Sequence, residues 1–334
     1  MIDAQPLGSV TLGRAGLQVS RLGFGGAPLG GLFQAVDDDA AHRALAAAWD
    51  RGIRYFDTAP HYGAGRSERR IGEFLRTQQR DQWVISTKVG RLIEPATPGA
   101  ADDFGFVGEQ PTTRIFDFSA AGVRRSLDAS LQRLGVDRVD IAFLHDPDDF
   151  LDDAIEHAWP ALAKLRDEGV VRSVGAGMNQ TPALTRLVQE TDMDVVLVAG
   201  RYTLLDQRAL EDLFPACLDH NTSVVVGGVF NSGILADPVN QPQFDYLPAS
   251  PEIRSRALRL AQVCADHGVP IAAAALQFPL AHPAVTSIVV GARSADEIRE
   301  NCKLLNFPIP AALWEQLRAE SLLHPNTPVP ADHC

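Results

Sequence analysis

The sequence predicts an α/β architecture, a (β/α)8 TIM barrel preceded by an N-terminal β-hairpin, on three observations. Short apolar runs alternate with helical patterns along almost the whole chain, as successive βαβ units with a parallel sheet require. Eight such runs occur. The 334 residues also fall within the range of about 200 to more than 400 that one such barrel occupies.

Taken in order, residues 10–19 with the turn Gly13-Arg14-Ala15-Gly16 read as a hairpin that plugs the barrel's N-terminal face. The expected barrel strands are 21–25, 53–57, 83–88, 139–145, 171–175, 194–198, 223–226 and 286–290. Between the first two, Asp39 can start and Gly52 can end a helix whose Leu45, Ala48 and Trp49 face inward. Ser119 is placed to cap a helix in which Val123, Leu127, Leu131 and Leu134 fall on one stripe, and Gly135 stops it. One connection is long: residues 89–118, rich in Pro, Gly and Asp, separate the third strand from its helix. Loops of that length are usually functional, and this one follows a strand's C-terminal end, where barrel sites lie. It is expected to cover the active site. No linker or repeat interrupts the pattern, so residues 1–334 are expected to form one domain.

Composition narrows the function. Hydrophobic residues make up 46% and charged residues 22%, enough to bury a sizeable core. Thirty Lys+Arg against 42 Asp+Glu give a net charge of −12, which disfavours nucleic acid and anionic membrane surfaces as partners. The four cysteines are scattered without C-x-x-C spacing, so they read as free thiols in a reducing compartment. The N-terminus has neither a basic nor an apolar leader segment, and no run approaches ~18 apolar residues. The expected setting is cytoplasmic, as a monomer or homodimer acting on a small molecule.

Three successive strands end on an ionisable residue, at Asp57, Lys88 and His145. Adjacent strand ends converge at the barrel mouth, and a buried lysine needs a counter-charge, for which Asp57 is placed. These three alone could equally be a structural ion pair beside a core histidine. Tyr62, in the turn just beyond Asp57, gives them a chemical purpose. A phenol normally titrates near 10, and a neighbouring ammonium favours phenolate; reaching ~7 takes roughly 4 kcal/mol. The expectation is that Lys88 supplies much of this. Tyr62 is then general acid or base, and His145 orients the substrate oxygen.

A hydride carrier needs its own site, and no G-x-G-x-x-G occurs in Gly23-Phe24-Gly25-Gly26-Ala27-Pro28. Two later segments are candidates. Gly291 to Asn301 opens a helix after the last strand and suits phosphate, although Ser294-x-x-Glu297 is also a capping box that any helix could use. Gly227 to Gly233 follows the seventh strand, and its small residues permit close backbone approach. A metal cluster at His145-Asp146-Pro147-Asp148-Asp149 is set aside, because Pro147 breaks the run; no metal is expected.

These residues resemble the aldo-keto reductase superfamily. Asp57-Thr58-Ala59-x-x-Tyr62-Gly63 is similar to its tyrosine signature, Lys88 to its strand lysine, His145 to its active-site histidine, and Gly291 to Asn301 to its cofactor-binding end. The resemblance runs from about Leu12 to Leu305. Phe116-Asp117-Phe118-Ser119, Leu144-His145-Asp146-Pro147-Asp148, Val174 to Gln180 and Gly200 to Leu205 are similar to the branch of aldose 1-dehydrogenases, L-fucose dehydrogenase among them, and of pyridoxal 4-dehydrogenase. It implies NAD(P)-dependent oxidation of a sugar's anomeric hydroxyl to a lactone. It also implies cofactor contacts at Asn179, Gly228, Phe230, Ser232, Gly291, Arg293, Ser294, Glu297 and Asn301. Where many relatives carry an aromatic that stacks on nicotinamide, this chain has Gly227 or Gly228, with Phe230 nearby. Gly291 and Glu297 stand where NADP-preferring relatives often have Lys and Arg. A carboxylate repels a 2′-phosphate, so NAD is favoured, while Arg293 points the other way. The rival expectations are pyridoxal oxidation, a nicotinamide-binding redox sensor without rapid turnover, and a carboxylate-based barrel hydrolase.

Overall fold

In the computed structural model, which describes residues 7–96, 105–108 and 112–330, parallel strands close into an eight-stranded barrel. In chain order the barrel strands are β3 (Leu22–Gly25), β4 (Tyr55–Asp57), β5 (Val84–Val89), β8 (Ile141–His145), β9 (Ser173–Met178), β10 (Val195–Ala199), β11 (Ser223–Gly227) and β14 (Val285–Gly291). All eight expected runs are present, and β14 pairs with β3 to close the ring. The antiparallel hairpin β1 (Ser9–Leu12) and β2 (Leu17–Ser20) precedes them. No helix among the described residues is long and apolar enough to cross a membrane.

The alternation of a strand's side chains separates two cores. One fills the barrel: Tyr55, Val84, Ile141, Phe143, Val195, Leu197, Val225 and Val289 pack with Leu12, Leu17 and Val19 of the hairpin. The hairpin therefore plugs the end opposite the mouth. The second core lies between strands and helices and takes the alternate residues, such as Phe56, Ile85, Ala142 and Leu144.

Helix α1 (Asp38–Asp50) starts two residues earlier than expected, because Asp37 is the cap and accepts from the Ala40 N–H. Three consecutive aspartates offer three possible caps, and the sequence alone does not rank them. Helix α2 (Arg66–Leu75) follows the turn bearing Tyr62. Helix α3 (Ala120–Leu134) has Ser119 as its cap and Gly135, at φ 65°, as its stop. The segment 89–118 holds a second hairpin, β6 (Arg91–Pro95) with β7 (Thr112–Phe116). Two strands of five residues set 16 residues apart give little periodic signal. A third small hairpin, β12 (Gln243–Phe244) with β13 (Leu247–Pro248), lies beyond β11.

Candidate active site

The inward column of each strand explains how the ionisable residues meet. Asp57 lies two residues beyond inward Tyr55, Lys88 lies four beyond Val84, and His145 two beyond Phe143. Each therefore continues its strand's inner face into the mouth. All three are nearly fully buried. Gly177 pairs with His145 in the ladder, and a Cβ there would sit 3.4 Å from Lys88 Cε. The bare backbone leaves the lysine its channel.

Lys88 Nζ donates to Asp57 Oδ2 at 2.7 Å, to the Thr58 carbonyl at 3.0 Å and to the Tyr62 hydroxyl at 3.1 Å. Asp57 Oδ1 accepts from Ser86 Oγ at 2.7 Å, and Ser86 in turn contacts the Tyr55 hydroxyl at 3.1 Å. The lysine thus has three fixed partners and points at the phenol. Tyr62 is held by its turn. Its N–H reaches the Ala59 carbonyl, and neighbouring Gly63, at φ 61°, packs so tightly on Gly30 that a Cβ would come within 2.2 Å of the Gly30 carbonyl oxygen.

The ring of His145 stands perpendicular to that of Tyr62, with centroids 6.1 Å apart. His145 Nδ1 is buried without a hydrogen-bond partner among the described residues. An orphaned lone pair costs less than an orphaned N–H, so the neutral ring carries its proton on Nε2, as a donor. Burial, reinforced by Arg91 and Lys88, holds His145 well below the ordinary histidine range. Burial together with Arg91, Arg114 and Lys88 lowers His61 to about 3.

Electrostatics correct one expectation. Burial pushes the Tyr62 phenol up to about 12; Lys88 pulls it down, but Asp57 pushes it back up. Burial also works against the Lys88 ammonium, yet Asp57 and Tyr62 overturn that and hold Lys88 above its usual value. The physical reason is chiefly burial, which disfavours the phenolate by more than Lys88, partly offset by Asp57, favours it. In this state Tyr62 is a neutral phenol.

The expected cofactor residues lie on an arc of strand ends from β9 to β14, beside the tetrad. Asn179 follows β9, with its side chain near enough to the Tyr246 hydroxyl to favour the ionised phenol. Gly228 is exposed at φ 62°, and Asn231, Ser232 and Gly233 continue at φ 43°, 62° and 112°. These values make a tight turn in which the Asn231 and Gly233 N–H groups donate to the Gly228 and Phe230 carbonyls at 2.8 and 3.0 Å. Phe230 leans on the outer core. Gly291 is exposed at the end of β14, opposite Gly25. Ser294 caps the helix Ala295–Leu305 by accepting from the Glu297 N–H, and Asn301 is buried one turn further on. The Glu297 carboxylate accepts from the Arg293 N–H at 2.8 Å and pairs with the Arg293 guanidinium at 3.2 Å, while Arg293 also reaches Gln34 at 3.2 Å. The capping box is therefore half formed, because the guanidinium draws Glu297 one residue further back. Exposed backbone at Gly228 and Gly291, a capped helix start at Ser294 and the polar end at Arg293 and Glu297 together fit a dinucleotide.

Several residues at the mouth escaped the sequence reading. Phe106 packs at 5.3 Å from His61 and 6.1 Å from Tyr62. Arg91 bonds Asp146 beside His145. Tyr246 meets Phe33 at 6.2 Å, its N–H reaches Ser232 Oγ, and its neighbour Asp245 is held by Arg201 at 2.6 Å. Each is a contact between segments far apart in the chain. The one local signal was the position of Arg91 just past the lysine strand.

With this geometry in place, the comparisons with known proteins are specific. The model for the aldo/keto reductase family matches residues 21–321, and the chain belongs to that family. It is 46% identical over 318 residues to a D-threo-aldose 1-dehydrogenase of a Pseudomonas species, covering 93% of this chain and 96% of that one. It is 42% identical over 332 residues to a pyridoxal 4-dehydrogenase of Microbacterium luteolum, covering 93% and 97%. An aldo-keto reductase from Bacillus halodurans in its holo form superposes with a TM-score of 0.75 at 27% identity, over 98% of this chain and 99% of that one.

Proposed function

We propose that the protein is an NAD(P)-dependent aldose 1-dehydrogenase that oxidises the anomeric hydroxyl of L-fucose or a related sugar to the lactone. The carrying observation is the hydrogen-bonded chain Asp57–Lys88–Tyr62 with the His145 ring 6.1 Å from that of Tyr62. The similarity to a D-threo-aldose 1-dehydrogenase supports the sugar. When bound, nicotinamide supplies a hydride acceptor and, in its oxidised form, a positive charge. Asn179, Gly228, Phe230, Ser232, Gly291, Arg293, Ser294, Glu297 and Asn301 would hold the dinucleotide.

In this reading the Tyr62 oxygen exchanges a proton with the anomeric oxygen: the neutral phenol donates in reduction, and in oxidation the phenolate, which must form first, accepts. His145 Nε2 donates a hydrogen bond to that oxygen and fixes its direction. Lys88 stabilises the phenolate form when it arises, and Asp57 keeps the lysine charged and in place. Within segment 89–118, of which residues 97–104 and 109–111 lie outside the described residues, Phe106 packs against Tyr62 and would cover the substrate and exclude water. The Arg293 guanidinium is already engaged by Glu297 and Gln34, so a 2′-phosphate would compete with a carboxylate. That supports NAD.

The second reading is pyridoxal oxidation, favoured by the likeness to a pyridoxal 4-dehydrogenase; both substrates are cyclic hemiacetals. A panel of aldoses and pyridoxal, each with NAD and with NADP, separates them by the rate of nicotinamide reduction. The expected outcome is a kcat/KM for L-fucose or a related aldose at least about tenfold above that for pyridoxal, with NAD preferred. Turnover of pyridoxal alone reverses the assignment, and cofactor binding without turnover favours a sensor.

A further inference from the structure

The pair Arg91–Asp146 is not used by the proton-transfer chain, yet it lies at the mouth. Asp146 immediately follows His145, and its backbone is in the left-handed region at φ 42°, a conformation that non-glycine residues seldom adopt. Its N–H is tied to the Gly177 carbonyl at 3.1 Å. In that conformation Asp146 Oδ2 lies 3.8 Å from His145 Nε2, the nitrogen assigned above to the substrate oxygen. Arg91, brought back over the mouth by Gly90 at φ 95°, donates to the same carboxylate oxygen. Both side chains remain partly accessible, Asp146 at 25% and Arg91 at 13%.

Charge balance indicates what such a pair can take. The two cations that act on His145 are Lys88 and Arg91, and each is matched by its own carboxylate, Asp57 and Asp146. Among the described residues, each cation that acts on His145 is thus already matched by a carboxylate, so a neutral hydroxylated ligand fits better than an anionic one. A carboxylate accepts from a hydroxyl and a guanidinium donates to its oxygen. Together they hold one hydroxyl as donor and acceptor at once, which fixes the configuration of the carbon bearing it. Asp146 Oδ2 lies 3.8 Å from Nε2, so two adjacent hydroxyl oxygens on one ring can meet the nitrogen and the carboxylate separately.

We infer that Asp146, with Arg91, reads the hydroxyl on C2, the carbon next to the one oxidised. This rests on the aldose reading above. A site built to bond a substrate hydroxyl rejects the analogue lacking it, whereas a site where Asp146 only steadies His145 treats both alike.

The test compares wild type, Asp146→Asn and Arg91→Met on an aldose and its 2-deoxy counterpart, by kcat/KM for nicotinamide reduction. Wild type is expected to prefer the hydroxylated sugar by about 100-fold or more. Asp146→Asn is expected to lose about 10- to 100-fold on the aldose and to remain within about threefold of wild type on the deoxy sugar. Asparagine tolerates the left-handed backbone; should it fail to fold, Arg91→Met carries the same comparison. Equal losses on both sugars, or no wild-type preference, overturn the subsite while leaving the aldose reading intact. A wild type that oxidises no aldose overturns that reading before any variant is made.

Discussion

At the scale of single residues, burial decides the chemistry of the mouth. His61 and His145 both sit below their ordinary range because desolvation and nearby cations disfavour a second proton. For His61 the value falls from 6.5 to about 3. A histidine depressed in the folded state takes up protons mainly on unfolding, so its contribution is intact above 6.5 and is lost as pH falls towards 3. At pH 5 the loss from His61 is about 2 kcal/mol. Urea unfolding of wild type at pH 7.5 and pH 5 should show lower stability at pH 5, and His61→Gln should flatten that slope. Equal slopes in the two proteins would contradict the assignment. Asp57, Lys88, His145 and Tyr62 could be found in the sequence because each closes or follows a strand, and strand ends are local features. The protonation state of Tyr62 could not, since it depends on how burial, Lys88 and Asp57 balance in three dimensions.

At the scale of elements, what positions Tyr62 is the contact between its turn and the loop after β3. Gly63 and Gly30 touch backbone to backbone. Gly63→Ala should therefore cost about 1–3 kcal/mol and lower kcat by roughly 100-fold, because any adjustment moves the adjacent phenol. Gly16→Ala is the control: φ is also positive there, 64°, but a Cβ meets nothing within 4 Å. It should lose stability alone. Thermal melts with steady-state rates check both, and a fully active Gly63→Ala would mean the contact does not place the tyrosine. Barrel strands and α3 were legible because alternation, Ser119 and Gly135 are written locally. Hairpin β6–β7 was not, since its pairing is selected by contacts with α3 and the mouth rather than by its own short strands.

At the scale of the molecule, the barrel separates tasks by position. The N-terminal face is closed by the first hairpin and serves stability. The opposite face gathers the residues proposed for proton transfer at β4, β5 and β8, and the proposed dinucleotide cradle on the arc from β9 to β14. Around this mouth, Phe106, Phe33 and Tyr246 arrive from three separate segments, which is why no window of sequence revealed them. The account stands or falls on Tyr62 as the proton acceptor in sugar oxidation. Single-turnover nicotinamide reduction with saturating aldose, in wild type and Tyr62→Phe, tests it directly. The account predicts that Tyr62→Phe binds cofactor and sugar as wild type does but reduces nicotinamide at least about 1,000-fold more slowly. A rate within tenfold of wild type would contradict it.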